Sequence, residues 1–460
     1  MGQHHRRIHR SRIRTRIPPQ DRVGPAFHRP NARTGRCGDH GWPHQAHACA
    51  GPIPESTGRP MRAPPGSVPS RLRARRHCRS GRCMKQAEEI RMVAPTERDT
   101  TIAGYLARHR DNFLLLRIVA ALAVIYGHSF AIARAQHGAV DIFVRAGWPM
   151  YSGDIAVAMF FVISGFMVSG SYLARHDLFE FAKARLLRIV PAFALVLVAC
   201  AYVVGPLATS ESVGNYLREP AVAEYVFKNL KFASDMAWQL PGVFQGNVRD
   251  GINGSIWTLP AEMRMYVAAA ALGVFGLLSN VRLGTFVLGA LLWLGATHPG
   301  YFSLHQEWLR LAGFFALGIF AQMHKDRLQI RHAAMFMLVF LTYISMRTQS
   351  APYLFALCLA YFCFWFAYRV PAWGRLERWG DPSYGIYLWG WPVQQLLVSA
   401  MPGMTPWQNF LIAAPIATSL GYLSWWCLER QALRLKDWHP RLPAFARPSA
   451  SAVANETHGH

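Results

Sequence analysis

Arg117 and His128 stand eleven residues apart in the apolar stretch NFLLLRIVAALAVIYGHSF. On a helix that is about three turns, or ~16 Å of axis. A guanidinium grips anions and an imidazole exchanges protons near neutral pH, so one helix would carry an anion anchor at one end and a base at the other. Ionisable groups inside a span are costly and face a cavity or a partner instead of lipid. A His near a helix end can equally be an interfacial residue. In KARLLRIVP, Arg185 and Arg188 are three residues apart and share a face. Such a pair can clamp phosphates through paired hydrogen bonds, or serve only as a positive-inside anchor. Arg117 at the same depth favours the clamp, because three arginines on one inner surface suit a nucleotide-phosphate donor. In SIWTLPAEMRMY, Glu262 enters the apolar region with Tyr266 four residues on, on the same face, while Arg264 points elsewhere. An intramembrane carboxylate is a functional candidate, with a structural ion pair as its competitor. Asp154, ahead of AVAMFFVISGFMVSG, reads as a helix N-cap or a site residue.

These side chains need a scaffold, and composition dictates its kind. The chain has 460 residues, 52% of them hydrophobic and only 16% charged, too apolar for an ordinary soluble protein of this length. From Asn112 onward the apolar blocks approach bilayer-spanning length, and helices are the only spanning structure such lengths permit. The expectation is an all-α polytopic bundle of about ten transmembrane helices, starting near Phe113, Ile155, Ile189, Ser255, Leu283, Gln306, Ala333, Pro352, Ser383 and Trp407. Basic residues cluster before the first span and after the second, sixth, eighth and tenth, as at Arg108, Lys183, Lys325, Arg369 and Arg430. By the positive-inside rule both termini are cytoplasmic, and the long loop from Gly205 to Gly254 faces out.

The net charge of +24 says little about that body, because residues 1–92 hold 20 of the 49 Lys and Arg and only 5 of the 25 Asp and Glu. Residues 1–93 are rich in Arg, His, Pro and Gly, lack periodicity, and are expected to be a disordered basic extension, with translation starting at Met84 or Met92 as the preferred reading. The membrane domain is placed at 94–440 and a disordered tail at 441–460. The basic tract lacks the interleaved aromatics of a nucleic-acid arm, so no nucleic-acid partner is expected. Of the 8 cysteines, Cys37, Cys49, Cys78 and Cys83 lie in the tract. Cys200, Cys358, Cys363 and Cys427 stand singly in apolar runs and read as small hydrophobes. Neither C-x-x-C nor H-E-x-x-H spacing occurs, and no metal is expected.

Taken in order, the motifs resemble the acyltransferase 3 family of integral-membrane acyltransferases, over about Asn112 to Lys436. The Arg, ten residues, His pattern falls on Arg117 and His128, FFVISGF on Phe160 to Phe166, and R-x-x-R-I-x-P on Arg185, Arg188, Ile189 and Pro191. S-x-W-T-L-x-x-E-x-x-x-Y falls on Ser255, Trp257, Thr258, Glu262 and Tyr266, and S-Y-G-I-Y-L on Ser383 to Leu388. There are departures. Ala158 occupies the place of an acidic residue, Gly390 that of a His some relatives carry, and Gln431 that of a Pro in the carboxy-terminal E-x-P element.

The resemblance implies a multi-pass protein of the bacterial inner membrane that O-acylates a saccharide or lipid-linked saccharide. It implies acyl-CoA, most often acetyl-CoA, as co-substrate, with no tightly bound cofactor. Arg117, Arg185 and Arg188 would hold the CoA phosphates. His128 would act as general base or take the acyl group itself, and Glu262 would orient the imidazole or the acceptor. Asp154, Trp257 and Tyr266 would contact the acceptor. Membrane lipids are the other expected partners, and a homo-oligomer is left open. The competing class is a polytopic transporter, since intramembrane Glu262 and Arg264 and interrupted spans also fit a carrier. H-x-x-x-D at His137 and Asp141 is set aside as a chance match in an outer loop.

Overall fold

The structure, a computed structural model, describes residues 100–437 apart from 109–110, 134–138, 149, 303–304 and 372–375. The expectations for residues 1–93 and 441–460, for His137 and for the first four cysteines lie outside the described residues.

Among the described residues, ten helices of 14 residues or more follow one another: α1 (Phe113–Ile132), α2 (Ser152–Arg175), α3 (Leu178–Ala199), α4 (Leu259–Val274), α5 (Val281–Thr297), α6 (Gln306–Met323), α7 (His332–Ser345), α8 (Ala351–Arg369), α9 (Ser383–Ala400) and α10 (Pro406–Ser424). The described residues contain no strand, only two isolated bridges. Five helical stretches are long and apolar enough to cross a membrane: α1, α2, α3 with its continuation to Ala208, α8, and α10 with its continuation to Arg434. α5 and α7 are apolar but shorter. The described residues are therefore those of an all-helical membrane protein; five of the helical stretches have full spanning length by length and composition, and the ten long helices begin at or near the ten starts read from the sequence, Ile189 being the largest departure.

Helix starts follow local chemistry. α3 begins at Leu178, well before the expected Ile189, because Asp177 caps it by accepting the Glu180 N–H at 2.9 Å. Arg185 and Arg188 thus lie inside the helix and point from one face of it. α4 is preceded by a 3-10 turn, Gly254–Thr258, and carries Pro260 in its first turn, where no amide donor is lost. α10 opens with a capping box in which Thr405 and Gln408 bond each other's backbone.

α2 lies at the centre. Its apolar window is 72% buried, against 22% for that of α10, which faces outward over most of its length. α2 packs on α6, α1, α4, α8 and α3, while α9 packs on α10 and α1. The α2–α6 crossing is close because glycines meet there. A Cβ at Gly318 would overlap Val162 O and Phe166 N, and one at Gly165 would overlap Phe315 O. Small residues let helix backbones approach and gain dispersion contact where lipid supplies no hydrophobic drive. Gly318→Val should therefore cost about 1–3 kcal/mol. The melting temperature of the detergent-solubilised protein reads this out, and an unchanged value would contradict so tight a crossing. Cys200, Cys358 and Cys363 are buried and unpaired and Cys427 is exposed, in line with their reading as small hydrophobes.

Candidate active site

α1 and α9 run side by side, and ionisable groups of α1 meet the α9 segment at two levels. At the first, Arg117 Nη2 lies 2.9 Å from Oδ2 of Asp381, two residues before α9 begins. The same oxygen takes Arg188 Nη2 at 2.5 Å, and Arg188 Nη1 reaches Glu429 Oε2 at 3.2 Å. Glu429, 1% exposed, accepts the Ser424 hydroxyl at 2.9 Å. Ser383 donates its hydroxyl to Asp381 Oδ1 at 2.6 Å. Arg188 also lies over the rings of Tyr384 and Trp425. Two arginines from α1 and α3 are thus locked by two carboxylates from the start of α9 and the end of the α10 stretch.

Burial works against the ionised form of Asp381, but Arg188 and Arg117, helped by two hydrogen bonds from Ser383, hold its carboxyl down at about 2. The folded value lies below the unfolded one of about 3.9, so this cluster stabilises the fold fully above that pH and loses its contribution as pH falls towards 2. The melting-temperature gap between wild type and Asp381→Asn should stay constant from pH 8 to about 5 and close below about 4. A gap that closes between pH 8 and 6 would contradict the pairing.

Beside this lock lies a cavity of about 300 Å³ lined by Arg117, Arg185, Arg188, Glu262 and Tyr266 among apolar residues of α2, including Phe160, Phe161 and Met167. Arg185 differs from its neighbours. It makes no ion pair among the described residues; it reaches the Ser171 hydroxyl at 3.4 Å and lies over the Phe181 ring, and its Nε, like that of Arg117, finds no hydrogen-bond partner there. Glu262 accepts a hydrogen bond from the Tyr266 hydroxyl, which faces Ser164 on α2. Arg264 turns away, donating to Phe232 O and Pro260 O and lying over Trp308. Thr258 and Tyr387 also line the cavity and share a hydrogen bond of 2.8 Å, with Tyr387 donating to Ser255 O at 2.6 Å.

One turn further along α9 is the second level of contact. His128 meets Trp391 edge to face, with ring centroids 4.8 Å apart and planes at 78°. The His128 residue is 6% exposed, and its Nδ1 has no hydrogen-bond partner among the described residues. A buried polar atom left so is uncommon in native structures and calls for an explanation.

The three arginines named from the sequence therefore converge on one cavity, together with Glu262 and Tyr266. His128 does not line that cavity. It lies in the same helix as Arg117, against Trp391, which is one turn beyond the cavity-lining Tyr387 on α9. Asp154 is not the N-cap of α2, which is Tyr151; it sits in the first turn and faces Arg310 at 3.5 Å, which also holds Glu307 at 2.6 Å. Neither Asp154 nor Trp257 lines the cavity. Asp141 caps the short helix Ile142–Arg145 and binds the Ser152 hydroxyl, a structural use.

Sequence reading missed Asp381, Glu429 and Trp391. Glu429, a carboxylate in the apolar run WWCLER, carried the same signal as Glu262. Asp381 and Trp391 carried none, because each matters only through a neighbour distant in the chain.

Residues 111–429, more than half of the chain, match a family model described as an acyltransferase domain. Over 351 residues the chain is 25% identical to an O-acetyl transferase of Shigella phage Sf6, covering 71% of this chain and 97% of that protein. Over 359 residues it is 25% identical to nodulation protein 10 of Rhizobium leguminosarum bv. viciae, covering 71% of this chain and 94% of the relative. No solved structure matches.

Proposed function

Since the chain belongs to the acyltransferase 3 family and is an acyltransferase embedded in a membrane, we propose that it moves an acyl group, acetyl in the first instance, from acyl-CoA to a hydroxyl of a surface or lipid-linked saccharide. The observation that carries this reading is the convergence of Arg117, Arg185 and Arg188 on one cavity between α1, α2 and α3. Family membership selects an enzyme over the carrier that the intramembrane charges also suggested. The relative named as an O-acetyl transferase supports oxygen as the acceptor atom and acetyl as the group.

The donor enters at the arginine end, placed on the cytoplasmic side of a bacterial inner membrane with both termini on that side, and its phosphates meet Arg185 first. Arg117 and Arg188, held by Asp381, line the same mouth and keep its charge in place. The pantetheine arm then runs past Glu262 and Tyr266 towards Thr258 and Tyr387, which line the same cavity. His128, against Trp391 one turn further along α9, takes the proton from the acceptor hydroxyl as the oxygen attacks the thioester carbonyl; the C–S bond breaks, and CoA leaves as a thiolate that picks up a proton. A positioned base of this kind typically contributes about 10² to 10⁴ in rate. Glu262, bonded to Tyr266 beside the arginines, acts along the donor path and not on the imidazole.

Comparing the O-acetyl content of the surface saccharide in cells with and without the gene tests the acceptor. Equal content would overturn it. For the donor site, a charge-assisted hydrogen bond to phosphate is worth about 1.5–3 kcal/mol. Arg185→Gln should therefore raise the KM for acetyl-CoA about tenfold to a hundredfold with kcat little changed. An unaltered KM would remove Arg185 from the phosphate site.

A further inference from the structure

The geometry points to Trp391 as the residue that positions His128, with the loop before α4 acting through it. This rests on the reading of His128 as the base and adds what aims it. A catalytic imidazole is commonly held by an acid on its second nitrogen. Here Nδ1 has no hydrogen-bond partner among the described residues, and Glu262 is engaged by Tyr266 in the donor cavity. What touches the ring is the indole of Trp391, 4.8 Å away and nearly perpendicular. Such edge-to-face pairs are worth about 0.5–1.5 kcal/mol and prefer a definite orientation.

The indole is itself fixed from two sides. Its Nε1–H donates to Gly251 O at 2.9 Å. Its six-membered ring packs so closely on Gly254 that a Cβ there would stand 2.7 Å from three ring atoms. The loop carrying those two glycines is pinned to α9 by amide side chains. Gln395 Nε2 donates to Arg249 O at 2.7 Å and to Gly251 O at 2.8 Å, and Asn253 Nδ2 donates to Leu388 O at 3.0 Å. Gln395 and Asn253 are both fully buried, so these bonds are sheltered from water. Loop, indole and imidazole thus form one rigid stack. Glycine at 254 is required by the close approach and not by any backbone conformation. An imidazole packed against an indole can keep one attitude without the negative charge that an acid partner would place inside the membrane. The Nδ1 orphan is what remains when aromatic packing takes over that orienting role.

The test uses the full chain in membrane vesicles from the source cell, with labelled acetyl-CoA as probe and the endogenous saccharide as acceptor. Displacing a reacting group by about 1 Å can cost ~10²-fold in rate. Trp391→Leu should lower kcat about tenfold to a hundredfold with the KM for acetyl-CoA within about twofold of wild type, because the phosphate site lies at the other end of α1. Trp391→Phe, which keeps an aromatic edge but loses the bond to Gly251, should recover most of that loss. Gly254→Ala, which pushes on the indole from behind, should reproduce the kcat defect. If Trp391→Leu fails to fold, Trp391→Phe and Gly254→Ala decide the matter.

Wild-type kcat in these variants would overturn the inference, as would a loss shared equally between kcat and donor affinity, which marks a merely structural role. Should His128→Ala remain active, the base assignment falls and this inference with it. Should His128→Ala be inactive while the Trp391 and Gly254 variants turn over normally, only the positioning role falls.

Discussion

His128→Ala should lose acyl transfer by about 10² to 10⁴-fold while the protein remains folded in membranes and binds acetyl-CoA with unchanged affinity. The first half follows from placement. The imidazole is 6% exposed and sits against Trp391, at a level of α1 where it is the one basic side chain of that helix beyond Arg117. The second half follows from what the ring does not do. It lines no part of the arginine cavity and takes part in no ion pair among the described residues, so its removal breaks no charge network. The substitution leaves a small void among Trp391 and its neighbours, costing about 2–4 kcal/mol at most by analogy with large-to-small changes in cores. Transfer of labelled acetyl groups and equilibrium binding of acetyl-CoA, measured on the same preparation, check both halves. Full transfer activity in this variant would refute the assignment of His128. Inactivity together with lost donor binding would place the residue in the donor site instead.

The second large effect separates two arginines that look equivalent in the sequence. Arg188→Gln should destabilise the protein by about 3–5 kcal/mol, because it leaves the 1%-exposed Glu429 without its cationic partner and takes from Asp381 one of its two. Removing one member of a buried ion pair costs more than the pair contributes, since the remaining charge has neither water nor counter-ion. Arg185→Gln, three residues away on the same helix face, breaks no ion pair among the described residues and should leave the melting temperature within a degree or two while raising the KM for donor. Thermal unfolding of the two variants in one detergent, beside their donor kinetics, makes the comparison. Equal melting temperatures would contradict the lock, and equal shifts in KM without loss of stability would return Arg188 to the role of simple phosphate ligand. A double variant, Arg188→Met with Glu429→Gln, should regain part of the stability, because it removes the orphaned charge as well.

Much of this molecule was legible before any fold was known. Apolar blocks of bilayer length can be satisfied only by helices, so the all-helical membrane class followed from composition and spacing alone. Eleven residues between Arg117 and His128 on one helix fixed their axial separation at ~16 Å, and the three-residue step from Arg185 to Arg188 put them on one face. The ionisable residues in apolar surroundings were rightly suspected of facing the interior, because lipid would not tolerate them.

Tertiary structure alone decided what those faces meet. Helical periodicity says which side chains point together and is silent on which helix stands opposite. The bonds from Arg188 to Asp381 and to Glu429 span 193 and 241 residues of chain, and no local pattern encodes them. The same holds for the division of the three arginines into two that are locked and one, Arg185, that is unpaired among the described residues. It holds for the pairing of Thr258 with Tyr387 at the arginine cavity, and for the contact of the His128 ring with Trp391. Residue types and their spacing determined the chemistry this chain carries; the lateral packing of α1 against α9, set by shape and by buried amide and carboxylate pairs, determined which of those groups can act together.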